Sequence, residues 1–121
     1  MNASVRNIAL VGAVFSFLAV FQAALGSHLI NMNGLAGIWQ TASQVHMFNA
    51  AALIGLAALL AIRDSVVLKW GVWMIVSGTA IFCGSIYVHV IIGQVFSGVA
   101  PVGGLLMMAG WVLVVLAFLR K

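Results

Sequence analysis

The sequence predicts an all-α fold, an integral membrane four-helix bundle with both termini in the cytoplasm (N-in/C-in). Three observations point there. The chain is 65% hydrophobic and only 5% charged, whereas a soluble domain carries roughly 25% charged residues. Four apolar runs follow one another, each separated by a short polar stretch. Every formal charge lies near a chain end or in one loop: Arg6; Arg63, Asp64 and Lys69; Arg120 and Lys121. At 121 residues, with a lone Pro101 and no low-complexity tract to mark a linker, one transmembrane domain over 1–121 is expected.

The first apolar run, 8–25, can span the ~30 Å of bilayer hydrocarbon as a helix. Ala9, Gly12, Ser16, Ala19, Ala23 and Gly26 recur in steps of three and four, so they share one face. A face of small residues lets membrane helices approach closely, and helix 1 is expected to pack along it. A cleaved signal peptide is the rival reading, with Arg6 as its charged start and Ala24-Leu25-Gly26 as a cleavage-like site. The apolar run is longer than the usual signal core, which favours a retained helix.

Residues 26–33 read as a turn, and one long helix is expected over 34–62, about 43 Å at 1.5 Å per residue. Its first turns then reach the headgroup layer, where Trp39 is favoured. Residues 63–69 form a charged loop. Helix 3 follows over 70–92, with Trp70 and Trp73 as interface anchors and Ser77, Ala80 and Gly84 as a small face. Residues 93–100 are a second loop. Pro101 suits the first turn of helix 4, where its missing N–H is harmless, and that helix runs over 102–119. Arg6, Arg63 with Lys69, and Arg120 with Lys121 then fall on one side of the membrane, and the opposite loops carry no formal charge. The positive-inside rule puts that side in the cytoplasm, as expected for a multi-pass protein of the bacterial inner membrane.

This threading sorts the polar groups by depth. The stretch from Trp39 to Asn49 is the densest polar cluster in the chain. Counting from Arg63 and Lys69, His46 and His89 lie roughly 25 Å and 30 Å from the inner side, and His28 follows the outer end of helix 1. Gln44, Ser85 and Tyr87 share the outer third, while the inner half is nearly pure hydrocarbon. Ser43, His46 and Asn49 lie on one face of helix 2, and Ser85 and His89 on one face of helix 3. Embedded polar groups turn toward the bundle, so these two faces are expected to meet.

The foremost reading of His28, Trp39, Gln44, His46, Asn49, Ser85, Tyr87 and His89 is a set of interhelical hydrogen bonds that hold the bundle. A cleft for a quinone, a lipid or another small molecule is the next. A haem or metal held by His46 and His89, or a metal held by His28, His46 and His89, is geometrically conceivable. It lacks a carboxylate for its outer shell. The cofactor is therefore unknown from these residues. Trp111 falls near mid-membrane, so its indole N–H is expected to find a partner on another helix. Gly103, Gly104 and Gly110 suit close packing better than phosphate binding.

Several functions are disfavoured. Five basic residues spread over three places make no nucleic-acid patch. Small dimeric multidrug exporters of this size carry a membrane-embedded carboxylate, and the only acid here is Asp64 in the loop. There is no nucleophile elbow, paired carboxylate or phosphate loop, so enzyme activity is not expected.

The motifs nevertheless resemble a family. Ala24-Leu25-Gly26-Ser27-His28-Leu29, Trp39-Gln40-Thr41-Ala42 with Gln44 and His46-Met47-Phe48, Gly84-Ser85-Ile86-Tyr87, and Pro101-Val102-Gly103-Gly104 with Ala109-Gly110-Trp111 stand in the same order as in the small YgdD/YwdK-type inner-membrane proteins. The family has no known function and has an animal mitochondrial relative. The resemblance spans nearly the whole chain and implies a four-helix membrane protein. Members often carry a second histidine where this sequence has Asn49, a departure that weakens any paired-histidine cofactor site. The segment between His28 and Trp39 is also shorter and less charged than in many members, which would suit contact with another membrane protein. The expected function is a non-enzymatic accessory or structural subunit that packs against lipids, a larger membrane complex or a second copy of itself. The alternative is a redox protein that binds haem, quinone or metal through its outer histidines.

Overall fold

Four helices follow one another in a computed structural model that describes residues 2–28, 34, 36–92 and 99–119. They are α1 (Ala3–His28), α2 (Ala36–Ile62), α3 (Val66–Ile92) and α4 (Val99–Leu119). Each is long and apolar enough to cross a membrane. Beyond the first turn each N–H bonds inside its own helix, so such segments satisfy their backbone without water.

The helix boundaries differ from the expected ones for local reasons. α1 begins five residues earlier than its apolar run because Asn2 caps it: Asn2 Oδ1 accepts from Val5 N–H at 2.9 Å. Gly34 is not helical. Its φ of 84° lies in the left-handed region that glycine alone enters cheaply, and α2 starts after it at Ala36. The charged loop shrinks to 63–65, because Ser65 caps α3 and pulls Val66–Lys69 into the helix. Its Oγ accepts from Leu68 N–H at 3.2 Å and its carbonyl from Lys69 N–H at 3.0 Å. Pro101 does sit in the first turn of α4, which starts at Val99.

Consecutive helices pack against each other, α1 on α2, α2 on α3 and α3 on α4. In a bilayer, burying apolar surface yields no net hydrophobic gain, so close van der Waals contact has to hold helices together. The expected small face of α1 does this: a Cβ on Gly12 would stand 2.9 Å from Ile54 Cγ1 and 3.2 Å from Leu53 Cβ of α2. The α3–α4 seam is tighter. Gly71 and Gly78 lie two helical turns apart, as do Gly103 and Gly110, and antiparallel packing sets Gly71 against Gly110 and Gly78 against Gly103. A Cβ on Gly78 would meet Met107 N at 2.6 Å and Gly103 O at 2.7 Å, and one on Gly103 would meet Phe82 N at 2.5 Å. The two backbones are therefore in direct contact. The small α3 face of Ser77, Ala80 and Gly84 takes no part in this seam: Ser77 and Ala80 are exposed, and a Cβ on Gly84 would meet nothing within 4 Å.

The core is layered along the bundle. At the end that carries Arg6, Arg63 and Lys69, an apolar cluster joins all four helices through Ile8, Leu53, Leu60, Leu68, Ile75 and Val114. Arg63 closes this end by lying over the Phe118 ring at 5.7 Å, and Lys69 pairs with Asp64 at 3.3 Å. The buried polar residues Gln22, His46, Asn49 and Thr79 lie beyond that cluster, toward the uncharged end.

Candidate functional site

Helix α2 organises the polar half of the bundle, because successive turns of it bond to different neighbours. Ser43 faces α1, where Gln22 Nε2 donates to Ser43 Oγ at 2.7 Å. His46 faces α3, with its Nδ1 in hydrogen-bond contact with Tyr87 Oη at 2.9 Å. Asn49 reaches both α3 and α4. Its Nδ2 donates to Thr79 Oγ1 at 3.0 Å and lies 2.9 Å from Met107 Sδ, and its Oδ1 accepts from Trp111 Nε1 at 3.2 Å. Trp111 thus has the cross-helix partner that its depth demands. The Cys83 thiol of α3 donates to Ala42 O of α2 at 3.3 Å.

The expected meeting of the two polar faces holds for one of them. His46 reaches α3, but its partner there is Tyr87. Ser85 turns back on its own helix and donates to Phe82 O at 2.9 Å. His89 is half-buried on α3 and already engaged in an interaction. Gln44 is exposed and lines a shallow groove between α2 and α4 beside Asn49 and Trp111. His28 closes α1, and its side chain lies outside the described residues, as do Gln94, Arg120 and Lys121. Among the described residues no three His, Cys, Asp or Glu side chains stand close enough together to hold a metal ion.

Trp39 differs most from expectation. It sits in the first turn of α2, as an interface anchor would, but its ring is only 5% exposed. It packs on Tyr87 with ring centroids 4.7 Å apart. Trp39, Tyr87 and His46 therefore form a continuous aromatic wall, and Phe15 of α1 meets the His46 ring edge-on at 6.0 Å.

This wall is the floor of a cleft. α1 and α3 both pack on α2 and leave a cavity of about 360 Å³ between them, at the uncharged half of the bundle. Leu18, Phe21 and Leu25 of α1 line one side, and Ala80, Gly84 and Ile91 of α3 the other. Trp39, His46, Gln22 and Tyr87 also face it. Gln22 Oε1 and Trp39 Nε1 are fully buried, without a hydrogen-bond partner among the described residues. Gln22, Thr79 and Cys83 are polar or thiol members of this cleft outside the expected set; Gln22 and Thr79 are uncharged polar residues within apolar runs, and that is the signal the sequence offers for them.

The comparisons with known proteins fit this architecture. A family described as "Protein of unknown function (DUF423)" matches residues 22–104, from the Gln22 that lines the cleft to the glycines of the α3–α4 seam. The chain belongs to this family. Relatives in it include the UPF0382 membrane protein SAB0533 of Staphylococcus aureus (strain bovine RF122 / ET3-1), 28% identical over 117 residues, covering 89% of this chain and 91% of its own length. The UPF0382 inner membrane protein YgdD of Escherichia coli (strain K12) is 29% identical over 119 residues, covering 95% of this chain and 91% of its own. The UPF0382 membrane protein SERP0230 of Staphylococcus epidermidis (strain ATCC 35984 / DSM 28319 / BCRC 17069 / CCUG 31568 / BM 3577 / RP62A) is 28% identical over 120 residues, covering 92% of this chain and 93% of its own. No solved structure matches the chain. This DUF423 member is thus an all-α membrane protein of four spanning-length helices, and the expected likeness to YgdD holds.

Proposed function

We propose that this DUF423 protein is a non-enzymatic accessory or structural subunit of the bacterial inner membrane. It is a single transmembrane domain that packs against a membrane partner or against lipids. The observation that supports this most directly is how its side chains are spent. Ser43, His46 and Asn49 of α2 bond to neighbouring helices, and the outward faces are apolar, with Phe17, Phe48, Ile62, Leu105 and Val112 all exposed. Outward-facing small residues add to it: Ser77 is exposed on α3, and a Cβ on Gly55 of α2 would meet nothing within 4 Å. Small residues on an outer face allow another membrane helix to approach closely.

Both termini lie on the cytoplasmic side in this reading, because Arg6, Arg63 and Lys69 cluster at one end of the bundle and positive charge is retained inside. A C-terminal fusion to a reporter active only in the cytoplasm should be active, and activity only from a periplasmic reporter would reverse the orientation.

Native mass spectrometry of the protein released from gently extracted membranes tests the role. A partner subunit or a second copy at fixed stoichiometry supports the accessory reading, and a bare chain with variable lipids supports the lipid-facing one. A bare chain carrying one constant haem, quinone or metal would replace both with the redox alternative. That alternative has one observation behind it, His46 lining the cleft, where a ligand would touch its ring.

A further inference from the structure

We infer that the outward face of α2 is the contact surface for a second copy of this chain, in a parallel dimer that pairs the Gln44 side chains of the two copies across a two-fold axis along the membrane normal. The inference rests on the accessory reading and deepens it by naming the partner.

Thr41, Gln44, Phe48, Ala51, Gly55 and Ala58 follow one another in steps of three and four, and every one of them is exposed. That spacing repeats every 3.5 residues, the period of a seam between two helices wound in a left-handed supercoil. The seam lies on the side of α2 away from Ala42, His46, Leu53 and Leu60, which are buried in the bundle.

This face is small where other lipid-facing surfaces are large. α1 turns Leu10, Phe17 and Val20 outward, and α4 turns Leu105, Val112 and Leu119 outward. On α3, Ser77 and Ala80 share their face with the exposed Trp70 and Trp73. On α2, by contrast, a Cβ at Gly55 would meet nothing within 4 Å, and Thr41 folds its hydroxyl back on Gly37 O at 3.1 Å. Phe48, the bulky member, leans on Trp111 of α4 with ring centroids 5.8 Å apart and so borders the seam on that side. Small side chains give lipid little to hold but let a second helix approach closely.

Gln44 identifies that helix. Counted from Arg63, it lies roughly 28 Å along α2, inside the ~30 Å of hydrocarbon. Its carboxamide is exposed and has no hydrogen-bond partner among the described residues, and lipid chains offer it none. A carboxamide carries both donor and acceptor. Two of them face to face satisfy each other, with Nε2 of each donating to Oε1 of the other. Arg6, Arg63 and Lys69 at one end of the bundle thread every copy the same way through the bilayer. Two copies that meet through this face therefore run their α2 helices parallel, and the isologous contact sets each residue against its own counterpart. Gln44 then meets Gln44 and Gly55 meets Gly55, which makes the face complementary to itself.

Disulfide trapping of the full-length chain in native membranes tests the contact. Ala51→Cys and Ala58→Cys should form dimers on mild oxidation, whereas the equally exposed Val14→Cys and Leu105→Cys should not. The unaltered chain, whose Cys83 is buried, supplies the background. Förster transfer between donor- and acceptor-labelled copies, diluted with lipid in phosphatidylethanolamine–phosphatidylglycerol liposomes, measures the strength. Gln44→Leu should weaken association about ten-fold, the loss expected for reciprocal interhelical hydrogen bonds, and Gln44→Asn should restore most of it. Gly55→Leu should abolish association while circular dichroism stays unchanged, because the new side chain displaces nothing within its own chain. Transfer no higher than random encounter for the unaltered chain would overturn the inference, and this reading stands even if a variant fails to fold. Equal trapping at all four cysteine positions would overturn it too, as would a folded Gly55→Leu or Gln44→Leu protein that associates undiminished. A chain that ignores its own copies but co-purifies with a different subunit would overturn it and leave the accessory reading standing.

Discussion

Replacing Asn49 with leucine removes the most connected polar side chain of the bundle. Asn49 is 2% exposed and holds Thr79 at 3.0 Å and Trp111 at 3.2 Å, with the Met107 sulfur at 2.9 Å from the same Nδ2. Interhelical hydrogen bonds in membranes average about 0.6 kcal/mol and reach about 1.7 kcal/mol. The partners left behind differ. Thr79 can turn its hydroxyl to its own helix backbone at little cost. Trp111 has a single donor and no such retreat, and a buried unsatisfied donor costs about 1–3 kcal/mol. Leucine keeps the branched outline of asparagine but is larger, so crowding at this buried site adds to the cost. The expected loss for Asn49→Leu is therefore at least about 2–4 kcal/mol, with the Trp111 bond the largest hydrogen-bond share. Reversible unfolding of the full-length protein in mixed micelles, followed by steric trapping, measures it. A double-mutant cycle of Asn49→Leu with Trp111→Phe isolates the pair and should return about 0.6–1.7 kcal/mol of coupling. A loss below about 0.5 kcal/mol for the single change, or no coupling in the cycle, would mean that the junction does not hold α2 to α4.

Gly103→Ala should destabilise by about 1–3 kcal/mol in the same assay, because its Cβ would lie 2.5 Å from Phe82 N and force α3 and α4 apart. Gly55→Ala is its control: nothing lies within 4 Å of the new Cβ, and the gain in helix propensity should leave stability equal or up to about 1 kcal/mol higher. Ser65→Ala removes the cap of α3 and should cost about 1 kcal/mol, seen as faster amide exchange confined to 66–69. His46→Asn should keep the helices and lose no stoichiometric cofactor on purification, whereas a haem or metal lost with this change would identify His46 as a ligand. Breaking its bond from the other side, Tyr87→Phe should cost about 0.6–1.7 kcal/mol.

The polar residues show where reading the chain one helix at a time succeeds and where it stops. Trp111 could be assigned a cross-helix partner from depth alone, because an indole N–H in hydrocarbon has to find one. Which residue accepts could not be assigned, and Asn49, taken as the place where a familial histidine is missing, turns out to be the junction of α2, α3 and α4. His46 and His89 attracted attention as the two titratable residues at similar depth. Residues two apart on a helix project in nearly opposite directions, and it is Tyr87, two residues before His89, that α3 turns toward His46. Gly103 and Gly110 were legible as packing positions; their partners Gly71 and Gly78 were not, because a glycine marks a close approach only once the facing backbone is known.

The sequence by itself determined that this chain crosses a membrane four times and that its charges gather at one end. Those properties depend on hydropathy, length and charge, which are sums along the chain. It also determined that polar chemistry is confined to the other half, since depth follows from counting residues along a straight helix. The tertiary structure alone decided that Trp39 turns inward, that Gln22 is tied to Ser43, and that α1 and α3 stand apart over α2 to leave a cleft. Those facts depend on the rotation of each helix about its axis and on the distance between neighbours. In a bilayer nearly every face is apolar, so no hydrophobic stripe announces that rotation, and it is settled by which small and polar side chains interlock.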